Sequence, residues 1–222
     1  MFDGVGRRRD QSSGQLVSIG QHSLNGYERN ILFRNSGDGS FVDVAAVHAA
    51  DRVEDGRGLS LFDYDQDGRV DILLRNYAQP AQLLRNQAEG GHWLAVKLVG
   101  TESNRDAVGA RLRLVAGDRP QTREIVLGSG YLSSSSLVQH FGLGDAESVE
   151  SLEIRWPSGK ITQLGPLAAD QQYLLIEGES SAREVWSWAV PAEADTLREA
   201  ATRDRRLARS APAGTVAATA LD

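Results

Sequence analysis

Asp63, Asp65, Asp67 and Asp71 fall within nine residues, in the stretch LFDYDQDGRVDILL that runs from Leu61 to Leu74. Carboxylates at alternate positions converge on one point when the backbone curls, and Gly68, directly after Asp67, permits a sharp turn. The spacing D-x-D-x-D-G-x-x-D puts acids at loop positions 1, 3, 5 and 9, and the backbone carbonyl of Arg69 joins them at position 7. Two carboxylates about 4 Å apart repel by about 4 kcal/mol at an effective dielectric near 20. A hard divalent cation that takes about six to eight oxygens turns this repulsion into the reason the loop folds. Ca²⁺ suits the set better than Mg²⁺, which takes few carboxylates and keeps several waters. Position 12 is Leu74 and not the bidentate Glu of a helix–loop–helix calcium site, and the flanks read as strands. An acid-rich surface turn without metal is the plain alternative, but four acids and a glycine in register argue against it. The expectation is one Ca²⁺ site formed by Asp63, Asp65, Asp67, the Arg69 carbonyl and Asp71.

The other reactive residue types do not assemble. His22, His48, His92 and His140 are scattered, and no pair has metal-ligand spacing. His140, in LVQHFGLG, reads as a strand or packing residue rather than a base. The segment GSGYLSSSS over 128–136 lacks the G-K-S/T ending of a phosphate loop and the G-x-S-x-G elbow of a hydrolase, so it reads as a polar turn. Trp156 falls on the buried phase of its strand and is expected in the core, whereas Trp93 could stack on a sugar. Trp186 and Trp188 could dock on the body or on a partner. The runs RRR at 7–9 and RDRR at 203–206 read as solvated charge in a chain of net charge −6. No catalytic set is visible, and no organic cofactor site is expected.

The elements that must hold the aspartate loop are strands. In NILFRNSGDGSFVDV, two strands flank a tight turn at 36–39, where Gly-Asp-Gly supplies positive φ. GLSLFDY enters the acidic loop and VDILLRN leaves it. AQLLRNQ then echoes NILFRNS, so a Leu-x-Arg-Asn element recurs about fifty residues on, which is a propeller-type period. From His92 the alternation is cleaner. HWLAVKLV, ARLRLV and SLEIRW each place apolar residues on one face, the mark of half-buried antiparallel strands. Gly and Pro turns separate about seven such strands, which argues for a β-sandwich or small β-barrel. The expected organisation is a flexible arm over 1–27, a repeat bearing the calcium loop over 28–89, a β domain over 90–178, and a linker or tail over 179–222 that is either poorly ordered or holds a helix over about 192–209. The fold class is therefore all-β, with about one propeller-like blade and a sandwich or barrel.

With 41% hydrophobic residues the composition is that of a globular protein, and the acidic balance argues against nucleic-acid binding. The chain has no cysteine, so disulfides and thiolate metal sites are excluded. No apolar run reaches the length of a membrane span. The N-terminal stretch MFDGVGRRRDQSSGQ lacks the apolar core of a signal peptide, and the compartment stays open.

FDYDQDGRVDILLRN resembles an FG-GAP/VCBS repeat, the calcium-loop blade of integrin-alpha-type β-propellers. The series VGTESNRDAVGARLRL, LGSGYLSSS, HFGLGDAESVESLEIRWPSGK and YLLIEG resembles an ASPIC/UnbV domain. Together the two resemblances cover Asn30 to Gly178. They imply an all-β, calcium-binding and often exported interaction protein, and they carry over no catalytic residue. Long members of this family hold several repeats, whereas about one and a half are visible here. That leaves a naturally short form, a fragment, or one piece of a larger assembly, with an oligomer as one way to cover the exposed blade edge. Two function classes follow: a calcium-binding interaction module with protein or glycan partners, or an enzyme or accessory component of a natural-product pathway.

Overall fold

The structure, a computed structural model, describes residues 7–9, 16–18, 28–117 and 119–185. The rest of the arm, the helix expected over 192–209, and Trp186 and Trp188 lie outside the described residues. Every regular element among the described residues is a strand, and no helix there is long and apolar enough to cross a membrane.

The chain divides into two units. The first comprises 1–65, 69–87 and 128–135. It holds β1 (Arg7–Arg9), β2 (Leu16–Ser18), β3 (Phe33–Asn35), β4 (Phe41–Asp43), β5 (Gly56–Phe62), β6 (Asp71–Asn76) and β7 (Gln82–Leu84). The strands β1 and β2 pair with each other, as do β3 and β4, while β5, β6 and β7 form an antiparallel sheet in that order. At the β3–β4 turn, Gly37 and Gly39 take φ of 88° and 89°, as the Gly-Asp-Gly requires. Register pairs Leu59 with Leu74 and Leu61 with Ile72, so these apolar residues share one face of the sheet. Leu73 and Leu83 pair on the opposite face, and both are exposed. Among the described residues of this unit, the buried side chains are few: Ala45, Ala50, Leu74 and three polar ones, Asp55, Asp71 and Asn76.

The second unit comprises 66–68, 88–127 and 136–222. Its strands are β8 (His92–Val99), β9 (Arg111–Ala116), β10 (Arg119–Glu124), β11 (Gln139–Gly144), β12 (Ser148–Val149), β13 (Ser151–Arg155), β14 (Ile161–Leu164), β15 (Leu167–Ala168), β16 (Gln171–Ile176) and β17 (Arg183–Glu184). Two four-stranded sheets, ordered β10-β9-β13-β14 and β11-β8-β16-β17, share one hydrophobic core. Leu94, Val96, Phe141 and Leu175 come from one sheet and Leu112, Leu114, Leu152 and Ile154 from the other, each 2% exposed or less. This is the sandwich solution, and Trp156 lies in its core at 3% exposure, on the phase its strand pattern assigns.

One expectation needs correcting. The alternation in HWLAVKLV predicts a half-buried antiparallel strand; β8 does pair antiparallel with β11, but its other neighbour, β16, runs parallel, from Leu94 opposite Gln171 to Val99 opposite Ile176. Parallel pairs are usually covered on both faces. Accordingly Ala95 and Val99 of β8, and Gln172 through Ile176 of β16, are all buried. Val99, Leu174 and Ile176 form a separate apolar cluster, against which Val185 packs.

Candidate metal centre

The aspartate loop is built at the mouth of a hairpin. β5 ends at Phe62, β6 starts at Asp71, and these two residues are register partners, so the pairing closes the base of the loop. Asp63 follows β5 directly and Asp65 lies two residues on. Gln66 and Gly68 take positive φ, 60° and 83°, which bends the chain back towards β6. As a result, one carboxylate oxygen from each of Asp63, Asp65 and Asp71 lies within 4.8 Å of the others. Burial is graded across the three: Asp65 is exposed, Asp63 half-buried and Asp71 only 1% exposed. This group holds the carboxylates of three of the four aspartates that the spacing assigns.

Neighbouring groups fix the orientation of the cluster. Asp71 Oδ2 accepts the Tyr64 backbone N–H at 3.0 Å, and Asp71 Oδ1 accepts the Asn86 N–H at 2.7 Å. Asn86 in turn donates from Nδ2 to the Val70 carbonyl at 3.3 Å and accepts from Arg69 Nε at 3.0 Å. The guanidinium of Arg85 pairs with Asp65 Oδ2 at 2.7 Å. Arg85 and Asn86 are the Arg-Asn of the echoed Leu-x-Arg-Asn element. Sequence reasoning found the echo but not its task, which is to supply hydrogen bonds and charge to the acidic loop.

The donor set is all hard oxygen, which is the chemistry Ca²⁺ takes and soft metals do not. At an effective dielectric near 20, carboxylates at this spacing repel by roughly 3–4 kcal/mol per pair. One half-exposed arginine on Asp65 offsets part of that. Each Asp71 oxygen has a lone pair beyond the one its N–H occupies, so the hydrogen bonds orient the carboxylate without closing it to an ion. The residues present therefore fit a divalent cation, and the FG-GAP-type loop with its Asp cluster is consistent with a calcium-binding module.

The tip of the loop has its own contacts. A Cβ at Gly68 would lie 2.1 Å from Trp93 Nε1 and 2.2 Å from Trp93 Cε2, so the indole covers the glycine and leaves no room for a side chain. His140 Nε2 lies 2.7 Å from the Gly68 carbonyl oxygen. A carbonyl only accepts, so Nε2 carries the proton. The rings of Trp93 and His140 stack with centroids 6.0 Å apart and planes 11° apart. Trp93, which the sequence left open as a sugar-stacking residue, is engaged here, and His140 is a packing residue of β11 as its context suggests.

Two further polar sites escaped sequence reasoning. His92 Nδ1 meets Asp170 Oδ2 at 2.7 Å, and this hydrogen bond holds the imidazole pKa above its ordinary value. Glu177, 2% exposed, accepts the backbone N–H groups of Thr101, Glu102 and Ser103 on Oε2 and the hydroxyls of Ser103 and Ser158 on Oε1. Burial pushes its pKa up, but the hydrogen bonds from Ser103, Ser158 and Thr101 together outweigh burial and hold the carboxyl below its usual range. No short motif marks either residue, since their partners are distant in sequence: Asp170 is 78 positions from His92, and Glu177 reaches Thr101–Ser103 across 74–76 positions and Ser158 across 19.

Comparison with known proteins places two family models on the chain. Residues 16–74 match the FG-GAP-like repeat, and residues 100–182 match the ASPIC and UnbV model. Human cartilage acidic protein 1 is 31% identical over 150 residues, which is 65% of this chain and 22% of that protein. The mouse protein of the same name is 34% identical over 152 residues, 66% of this chain and 23% of its own length. The Xenopus tropicalis protein is 43% identical over 63 residues, 28% of this chain and 10% of its own. The chain thus spans less than a quarter of the length of the curated relatives it matches.

Proposed function

We propose that this chain, an FG-GAP-like repeat followed by an ASPIC/UnbV domain, is a calcium-dependent, non-catalytic interaction module for protein or glycan partners. The observation that carries the reading is the convergence of Asp63, Asp65 and Asp71 on one point. Asp67 and the Arg69 carbonyl would complete the shell from the positions that the loop spacing gives them. Bound there, the ion supplies positive charge that holds the loop closed. The protein's own part is orientation: Tyr64 and Asn86 aim the Asp71 carboxylate, and Arg85 holds Asp65.

The binding role is supported by what the first unit leaves uncovered. Phe33 and Phe41 share one face of the β3–β4 hairpin and are 61% and 62% exposed. Leu59, Leu61, Leu73 and Leu83 remain exposed on the two faces of the β5–β6–β7 sheet. Apolar side chains on both faces of a small sheet are more than solubility calls for, and they suit contact with another surface. The test is partner capture on immobilised protein with calcium and with chelator, with Asp65→Ala as the control. Retained proteins or glycans should be lost on chelation and lost to the same extent in Asp65→Ala. Equal capture under all three conditions would separate the ion from the binding surface and contradict the reading.

A further inference from the structure

We infer that Trp93 and His140 are positioning residues of the ion site: by holding the loop tip at Gly68 they set the affinity of the aspartate loop for its cation. The inference rests on the reading of Asp63, Asp65 and Asp71 as ion ligands. Gly68 lies five residues after Asp63 and three before Asp71, at the point where the chain must reverse. Its φ of 83° lies in the left-handed region, as does that of Gln66 at 60°. The left-handed backbone is sterically costly at Gln66, and fixing Gly68 gives up a glycine's conformational freedom, in a loop whose carboxylates repel one another. Two contacts hold it. The Trp93 indole covers the Cα of Gly68 so closely that even a methyl group would collide with the ring. The His140 Nε2–H donates to the Gly68 carbonyl at 2.7 Å, and the stacked Trp93 ring holds the imidazole in place. A loop curled before the ion arrives loses less conformational freedom on binding, which appears as affinity. Neither residue is an ion ligand: Trp93 has no suitable donor atom, and the His140 nitrogen that faces the loop carries a proton committed to Gly68.

The experiment is calcium calorimetry, with terbium luminescence excited through tryptophan as a second probe, on the full chain. His140→Ala should weaken Ca²⁺ binding by about fivefold to tenfold, the value of one hydrogen bond. His140→Gln, whose amide N–H can donate to the same carbonyl, should recover most of that loss, which a general packing defect would not. Trp93→Phe should retain Ca²⁺ binding with weakened affinity and lose most of the tryptophan-sensitised terbium signal. Thermal unfolding in chelator checks that each variant keeps its fold. Wild-type affinity in a folded His140→Ala would overturn the inference, as would His140→Gln being no better than His140→Ala. Asp65→Ala distinguishes the two levels. If it abolishes binding while the His140 and Trp93 variants bind as wild type, only the positioning role fails. If it binds unchanged, the ligand reading fails and takes the inference with it.

Discussion

Asp71 and Glu177 are both buried carboxylates, and they solve the same problem in different ways. A carboxylate in the interior must be hydrogen-bonded or paired with charge. Asp71 accepts two backbone N–H groups and faces two other acids, so it stays suited to a cation. Glu177 is saturated by three N–H groups and two hydroxyls, and its task is to bind the turn over Thr101–Ser103 to the end of β16. Because its pKa is depressed in the folded state, its contribution is fully present above the ordinary carboxyl value of 4.5 and is lost as pH falls through the lower folded value. Glu177→Gln should therefore cost about 2 kcal/mol at neutral pH, since hydrogen bonds to a charged group are worth about 1.5–3 kcal/mol. The variant should also lose less further stability on acidification below 4.5 than the wild type does. Melting curves at neutral and acid pH check both parts, and parallel acid sensitivity in the two proteins would contradict the assignment. At this scale the clustering of Asp63, Asp65 and Asp71 was legible because their spacing is local. Glu177 was not, because an acid in YLLIEG has no local feature that distinguishes it from a solvated one.

The strands β5 and β16 show what periodicity can and cannot convey. The apolar phase of β9, β11 and β13 follows their sequence alternation, and the structure buries Leu112, Leu114, Phe141, Leu152 and Ile154 accordingly. The alternation of HWLAVKLV was misleading because Ala95 and Val99 are small or apolar residues on the second face, and a parallel neighbour covers that face too. The outer edge of β5 was invisible for another reason. Ser133 and Ser135 accept hydrogen bonds on their hydroxyl oxygens from the Leu59 and Leu61 backbone N–H groups, both at 3.2 Å, while Ser60 donates from its hydroxyl to the Ser134 carbonyl. The stretch that reads as a polar turn thus occupies an edge that would otherwise be open to another chain. Its partners are 74 residues away, beyond the reach of any local pattern. Changing Ser133 and Ser135 together to alanine should cost about 1–2 kcal/mol, two hydrogen bonds at about 0.5–1.5 kcal/mol each. Turbidity on warming should also begin earlier. Unchanged stability and unchanged aggregation would return the segment to the role of a simple turn.

Across the whole chain, the two units differ in what holds them. The second has a continuous core fed by both of its four-stranded sheets. Among its described residues the first buries few large apolar side chains, and it places a buried acid in the wall of its main loop. A ligand that binds only the folded loop stabilises it by RT ln(1 + [L]/Kd), about 2.7 kcal/mol at a hundredfold excess over Kd. For a unit with so few buried apolar side chains among its described residues, that is a large share of its stability. Calorimetric titration of Ca²⁺ into metal-free full-length chain tests this most directly. Binding heat for one ion, a rise in the melting temperature with added calcium, and the loss of both in Asp65→Ala are the expected results. The absence of heat and of any melting shift at millimolar calcium would contradict it, as would an Asp65→Ala protein that binds the ion as well as the wild type.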